Sequence, residues 1–190
     1  MMTGEEYKAS LNDGRETFFE GERIDDLSGH ELLGMTVESA AAGYDRFYDP
    51  TPGAVGEFMK VPGSADELRE QVELHETVDL LTHVTYASIM TLLTAADRIE
   101  EQLPENAKRI RAYVEDAQQR DVRITQCITD AKGDRSRRAG NQDDPDAYVR
   151  VVERRDDGVV IRGAKLHISA ASMGHELMTI PTKSMKPGED

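Results

Sequence analysis

The hydrophobic period of this chain changes near residue 120, and that change limits the fold more than any single motif. Upstream, apolar residues recur three and four apart; downstream, they alternate. Runs of helix followed by runs of strand imply an α+β chain rather than alternating βαβ units. Thr3-Gly4-Glu5-Glu6 reads as a capping box opening a short helix through Leu11, and Asn12-Asp13-Gly14 closes it with turn chemistry. A polar stretch with Phe18, Phe19, Gly21-Glu22 and Ile24 follows. Residues 36–47 carry Val37, Ala40, Ala41 and Tyr44 at helical spacing before Asp49-Pro50-Thr51-Pro52-Gly53. Ser64-Ala65-Asp66-Glu67 reads as a second capping box, with Leu68, Val72, His75, Val78 and Leu81 or Thr82 on one face. The pattern is broadly apolar over residues 80–96. Pro104 opens a last helix with Ile110, Tyr113 and Val114 inward, ending near Gln119.

Beyond Asp121, Val122, Ile124 and Gln126-Cys127-Ile128 read as a strand. Residues 130–146 hold turn formers and charges throughout. Tyr148-Val149-Arg150-Val151-Val152-Glu153 and Val159-Val160-Ile161-Arg162 pair as a hairpin across Asp156-Asp157-Gly158, and Leu177-Met178-Thr179-Ile180 makes a further strand. The expected organisation is a helical domain over residues 1–120 and a β domain over residues 121–190.

Charge narrows the classes of partner. The net charge of −14 argues against nucleic acid or an anionic membrane. No stretch approaches the ~18 apolar residues of a membrane span, and the acidic start lacks a signal-peptide core. With one cysteine, Cys127, no internal disulfide can form. A reducing cytoplasm is the expected location. The basic residues are 7 Lys and 16 Arg, and the acid is dispersed. Such a surface suits either a salt-adapted, halophilic cytoplasm or an ordinary acidic protein.

Residues 131–165 break that trend, with nine basic and seven acidic side chains, a local sum of +2 against −16 for the remainder. Lys132, Arg135, Arg137 and Arg138 form the densest cluster. An anionic ligand would go there, unless the cluster is a solvated loop paired with Asp134, Asp143 and Asp144. The histidine pairs His75/His83 and His167/His175 lack metal-ligand spacing, so no metal is expected.

Several segments, in order, carry a resemblance: Thr3-Gly4-Glu5-Glu6-Tyr7-Lys8-Ala9-Ser10-Leu11-Asn12-Asp13-Gly14-Arg15, then Gly21-Glu22-Arg23-Ile24, Tyr44-Asp45 and Asp49-Pro50. Lys132-Gly133-Asp134-Arg135-Ser136, Asp144-Pro145-Asp146, Asp157-Gly158-Val159-Val160, Gly163-Ala164-Lys165-Leu166-His167 and His175-Glu176 continue it. Together they resemble the 4-hydroxyphenylacetate 3-hydroxylase family, whose other branch includes 4-hydroxybutyryl-CoA dehydratase and vinylacetyl-CoA isomerase. The resemblance implies an acyl-CoA dehydrogenase-like α+β fold: an N-terminal helical domain, a partial β domain, and the family's C-terminal helical bundle absent from this chain.

The resemblance also implies FAD as cofactor, contacted by Thr129, Asp130, Lys132, Gly133, Asp134, Arg135 and Ser136. Ser169, the hydroxyl after the Gly-Ala-Lys strand, is implied as a further contact. In the monooxygenase branch reduced FAD from a partner reductase reacts with O₂ and a phenol is hydroxylated; the flavin carries that chemistry. The hydroxylases' flavin-site histidine falls near Gln126 and Cys127 here, with no histidine present. The dehydratases' iron–sulfur ligands include cysteines in the helical domain. Residues 79–96 have none, which excludes cluster-dependent dehydration for this chain. Hydroxylase, CoA-thioester relative and non-catalytic split subunit stay open at this point. So do a C-terminal partner chain and a homo-oligomer, with weak or absent FAD in the isolated chain.

Overall fold

A computed structural model describes residues 1–183 and Lys186. Two compact units emerge. The first is Met1–Thr125 with Ala170–Leu177; the second is Gln126–Ser169 with the described residues from Met178 onward.

In the first unit, α1 (Gly4–Ser10) begins at the Thr3 capping box: the Thr3 hydroxyl accepts from Glu6 N–H, and the Glu6 carboxylate accepts from Thr3 N–H at 2.8 Å. The polar stretch after it is a hairpin, β1 (Thr17–Phe19) paired antiparallel with β2 (Glu22–Ile24). Its two-residue loop, Glu20-Gly21, has positive φ at both positions, 52° and 88°, the signature of a type I′ turn.

Helix α2 (Leu33–Phe47) starts three residues before the expected Thr36. Its N-cap, Leu32, has no capping side chain; instead His30, two residues earlier, accepts at Nδ1 from the Leu32 and Leu33 N–H groups, each at 3.2 Å. Val37, Ala40, Ala41 and Tyr44 face the core as expected, packing with Tyr7, Leu11, Leu27, Leu81 and Met173.

Helix α3 (Ala65–His75) departs from the expected pattern in two ways. Ser64 caps Glu67 N–H, but the Glu67 carboxylate accepts from Gly63 N–H at 2.7 Å rather than from Ser64, so the box is only half made. Leu68 and Val72, expected inward, are 48% and 56% exposed. The buried residue is Gln71, whose amide donates to Glu57 O at 2.9 Å. The helix packs on the 3₁₀ turn Glu57–Met59, whose carbonyls need a donor more than an apolar neighbour.

Helices α4 (Leu80–Ile99) and α5 (Pro104–Gln119) lie against each other. Asp79 caps α4 and Pro104 opens α5 at its first turn, as its sequence position suggests. The buried face of α4 is rich in hydroxyls, Thr82, Thr85 and Ser88. Thr85 turns its hydroxyl to Leu81 O and accepts from Ile124 N–H at 3.0 Å. Among the described residues, no helix is long and apolar enough to cross a membrane.

Strand β3 (Ile124–Cys127) pairs with β6 (Glu176–Thr179). From Val122 to Thr125 every side chain is buried, so simple alternation is lost. The segment Ala170–Leu177 belongs to the first unit through polar bonds. Tyr7 donates to Met173 O at 3.0 Å, and the Arg15 guanidinium donates to the carbonyls of Ser172 and Gly174.

In the second unit, β4 (Arg150–Arg155) and β5 (Gly158–Arg162) form an antiparallel hairpin with a bulge between Val151 and Glu153. Val152, Val159 and Ile161 are exposed on it.

Candidate functional site

The second unit contains a cleft of about 770 Å³ whose walls carry Lys132, Arg135, Arg137, Arg138 and Lys183. A chain of net charge −14 thus gathers five cations around one opening. Cations gathered around one opening favour an oxyanion, although all five of these are exposed.

The loop that presents them is built locally. The Asp134 carboxylate accepts from Ser136 N–H at 2.9 Å and from the Ser136 hydroxyl at 2.6 Å, an Asx-type turn that holds the carboxyl below its usual range. The Gln142 side chain clamps the turn, accepting from Asp134 N–H at 2.7 Å and donating to Asp134 O and Arg138 O. Gly133 sits at φ 49°, and a Cβ there would lie 2.6 Å from Gln142 Oε1 and 3.0 Å from the Tyr148 hydroxyl. The backbone makes its close approach at that glycine. Arg137 is tied to Asp134 at 3.2 Å and to Asp143. Lys132 and Arg135 have no ion-pair partner among the described residues.

The floor is anchored by Asp130 and Lys165, which also form an isolated antiparallel bridge. Lys165 Nζ donates to Asp130 Oδ1 at 2.5 Å, to Ile180 O at 2.7 Å and to Ile128 O at 3.1 Å, using all three donors. Asp130 Oδ2 accepts from the Thr182 hydroxyl. Burial pushes the Asp130 carboxyl up, but the bonds from Lys165 and Thr182 and the lysine charges outweigh it, and the net shift is downward. Gly163, at φ 144°, lets the chain pass against the Tyr148-Val149 backbone just before Lys165.

Of the residues implied from sequence, Thr129, Asp130, Lys132 and Arg135 line the cleft. Gly133, Asp134 and Ser136 shape the loop behind it. Ser169 is exposed in a turn and is not part of the cleft wall. Sequence reasoning missed Tyr148, Thr182 and Lys183. Tyr148 is 7% exposed, donates to Lys132 O at 3.2 Å, and has Lys183 Nζ 5.7 Å from its ring centroid.

A second group of polar residues lies inside the first unit. Arg123 is wholly buried, its guanidinium 3.7 Å from the Tyr44 ring centroid and 4.3 Å from that of Phe58, with Asp121 at 3.3 Å. His175 Nδ1 accepts from Arg123 N–H at 2.8 Å. The Ser10 hydroxyl donates to Tyr7 O, so His175 Nε2, 2.9 Å away, is the donor to Ser10 Oγ. Burial and the nearby Arg123 and Arg15 charges bring the His175 pKa down to about 4. Both ring nitrogens of this imidazole are used in holding the fold. Among the described residues, no three His, Cys, Asp or Glu side chains converge as a metal site.

The family model described as the 4-hydroxyphenylacetate 3-hydroxylase N terminal matches residues 3–190. The 4-hydroxybutyryl-CoA dehydratase/vinylacetyl-CoA-Δ-isomerase of Clostridium aminobutyricum is 26% identical over 97% of this chain and 42% of its own length. The oxygenase component of 4-hydroxyphenylacetate 3-monooxygenase of a Geobacillus species is 28% identical over 99% of this chain and 42% of its own. Among solved structures, a 4-hydroxybutyryl-CoA dehydratase from N. maritimus superposes with a TM-score of 0.80 at 26% identity, covering 97% of this chain and 40% of that one. The oxygenase component of 4-hydroxyphenylacetate 3-monooxygenase complexed with FAD superposes with a TM-score of 0.75 at 20% identity, covering 97% and 42%, a likeness of fold. The chain therefore spans about two fifths of the length of the relatives it matches.

Proposed function

This chain belongs to the 4-hydroxyphenylacetate 3-hydroxylase N-terminal family, and we propose that it is the N-terminal part of an FAD-dependent oxidoreductase resembling the monooxygenases of that family. The observation that carries the reading is the cationic cleft. Thr129, Lys132 and Arg135 would hold the diphosphate of FAD, and Asp130, Gly133, Asp134 and Ser136 would fix the loop around it. The donor set fits that group: uncommitted Lys132 and Arg135 suit an oxyanion, and Gly133 keeps the backbone low enough for close approach. When bound, FAD would supply the redox chemistry; the cleft residues bind and orient it. Exposed Val152, Val159 and Ile161 on the hairpin suit a covering partner chain or a second copy.

Flavin fluorescence titration tests the reading. Arg135→Ala should weaken FAD binding by about tenfold or more, the loss of a charge-assisted contact. Arg155→Ala, an exposed arginine paired to Glu153 on the hairpin, should change it less than about twofold. Equal affinities for the two variants would remove Arg135 from the site. A second reading, the CoA-thioester branch, is supported by the TM-score of 0.80 to a 4-hydroxybutyryl-CoA dehydratase against 0.75 to the monooxygenase component. Coenzyme A displacing FAD from the cleft would favour it.

A further inference from the structure

The Asp130 carboxylate bridges two elements of the second unit, and the consequence falls on Lys183. The strand ending at Thr179 continues as Ile180, whose N–H donates to Cys127 O at 3.1 Å. Thr182 then gives its hydroxyl to Asp130 Oδ2. That bond fixes the next residue, Lys183, at the cleft wall with its ammonium 5.7 Å from the Tyr148 ring centroid. Tyr148 is itself pinned from the other side through its hydroxyl to Lys132 O. The Lys132 carbonyl at the Tyr148 hydroxyl and the Lys183 ammonium over its ring therefore meet at one side chain. Asp130, whose charge Lys183 feels, already accepts from Lys165 and Thr182. The Lys183 ammonium has no hydrogen-bond or ion-pair partner among the described residues and keeps its donors for something else.

We infer that Lys183 is an anion-contacting residue of this cleft, and that Asp130 and Thr182 are positioning residues that deliver it rather than ligand contacts themselves. This rests on the reading of the cleft as a diphosphate site and adds a residue to it. The ligand chemistry is a diphosphate held between Lys183 on one side and Lys132 with Arg135 on the other, with Tyr148 beneath. An exposed ammonium 5.7 Å from the ring centroid gains little from the ring alone, so its worth to the site lies in the oxyanion.

The experiment uses the full chain and two probes: inorganic pyrophosphate by calorimetry and FAD by fluorescence. Lys183→Gln is compared with Lys108→Gln, which removes the same charge from the exposed face of α5. Lys183→Gln should weaken pyrophosphate about fivefold or more, and Lys183→Arg should restore most of it. Lys108→Gln should leave binding unchanged. Thr182→Val removes no charge, yet should weaken binding nearly as much, and Thr182→Val combined with Lys183→Gln should be no weaker than Lys183→Gln alone. Wild-type-like binding by Lys183→Gln, or additive effects of the two substitutions, overturns the inference while an Arg135→Ala loss would leave the cleft reading standing. If neither probe binds the wild-type chain, both fall together. A loss with FAD but not with pyrophosphate would also overturn it, since Lys183 would then read the rest of the cofactor and not the diphosphate.

Discussion

Asp130 and Lys165 form an ion pair whose side chains are only 7% and 8% exposed, and the ammonium also donates to the carbonyls of Ile128 and Ile180. The Lys of the Gly-Ala-Lys motif is therefore an internal brace. Removing one partner strands the other. Lys165→Met should destabilise the chain by about 2–4 kcal/mol in urea unfolding, and Asp130→Asn/Lys165→Met should cost less than the single lysine change. The Asp130 carboxyl is held below its usual 3.8, so its contribution is complete above that value and is lost as pH falls through the lower folded value.

His175 gives a separate acid limb. Its pKa falls from 6.5 to about 4 on folding, so the unfolded chain binds the extra proton between those values. Stability should therefore drop as pH goes from 6.5 to 4, by on the order of 2–3 kcal/mol, with no further loss below. Asp121, raised chiefly by burial, works in the opposite sense: its contribution is lost as pH rises above 3.8 through the higher folded value. Urea midpoints from pH 4 to 8 for wild type and His175→Gln isolate the histidine. Parallel pH profiles would refute the assignment.

Arg123 is expected to be costly to remove alone. Arg123→Met leaves Asp121 buried with Met2 N–H at 3.0 Å as its remaining described donor to the carboxylate. It should destabilise by about 2–4 kcal/mol, whereas Arg123→Met/Asp121→Asn should recover most of that. The same substitution removes a charge that depresses His175, so the imidazole titration followed by NMR should move upward.

Gly133→Ala places a methyl against Gln142 Oε1 at φ 49°. The strain and the displaced clamp should cost about 1–2 kcal/mol, read as a lower thermal midpoint. Anion affinity should fall with it, because Asp134 N–H loses its partner.

Much of the helical part was legible from local chemistry. Thr3 with Glu6, and Pro104 at a first turn, are caps made by residues near in sequence. The α2 start was not, because a histidine ring replaced the usual hydroxyl or carboxylate at His30. On α3 the apolar spacing of Leu68 and Val72 pointed inward, but the neighbour was a turn of open carbonyls and Gln71 answered it. The Glu20-Gly21 hairpin was not read from the sequence, where residues 17–24 stood only as a polar stretch, because strands of three residues are too short to show an alternation. The attachment of Ala170–Leu177 to the first unit had no pattern to betray it. Tyr7 and Arg15 hold its carbonyls, and backbone acceptors look alike in any sequence. At the cleft, the cluster of Lys132, Arg135, Arg137 and Arg138 was visible as charge. Lys183 was not, because it stands 45 residues beyond Arg138 and joins them through one threonine hydroxyl.

The bulge at Val152 has a genetic side. Val151 faces Ile161 and Glu153 faces Val160, so Val152 is a supernumerary residue on β4. Everything before it, Tyr148 included, keeps its match to β5 because the bulge absorbs that extra residue. Loss of the Val152 codon would leave Val151 opposite Ile161 and Glu153 opposite Val160 as a regular ladder, with every upstream side chain on the face it already holds. A one-residue deletion at this position should therefore spare the cleft, with the Tyr148 ring still beside Lys183.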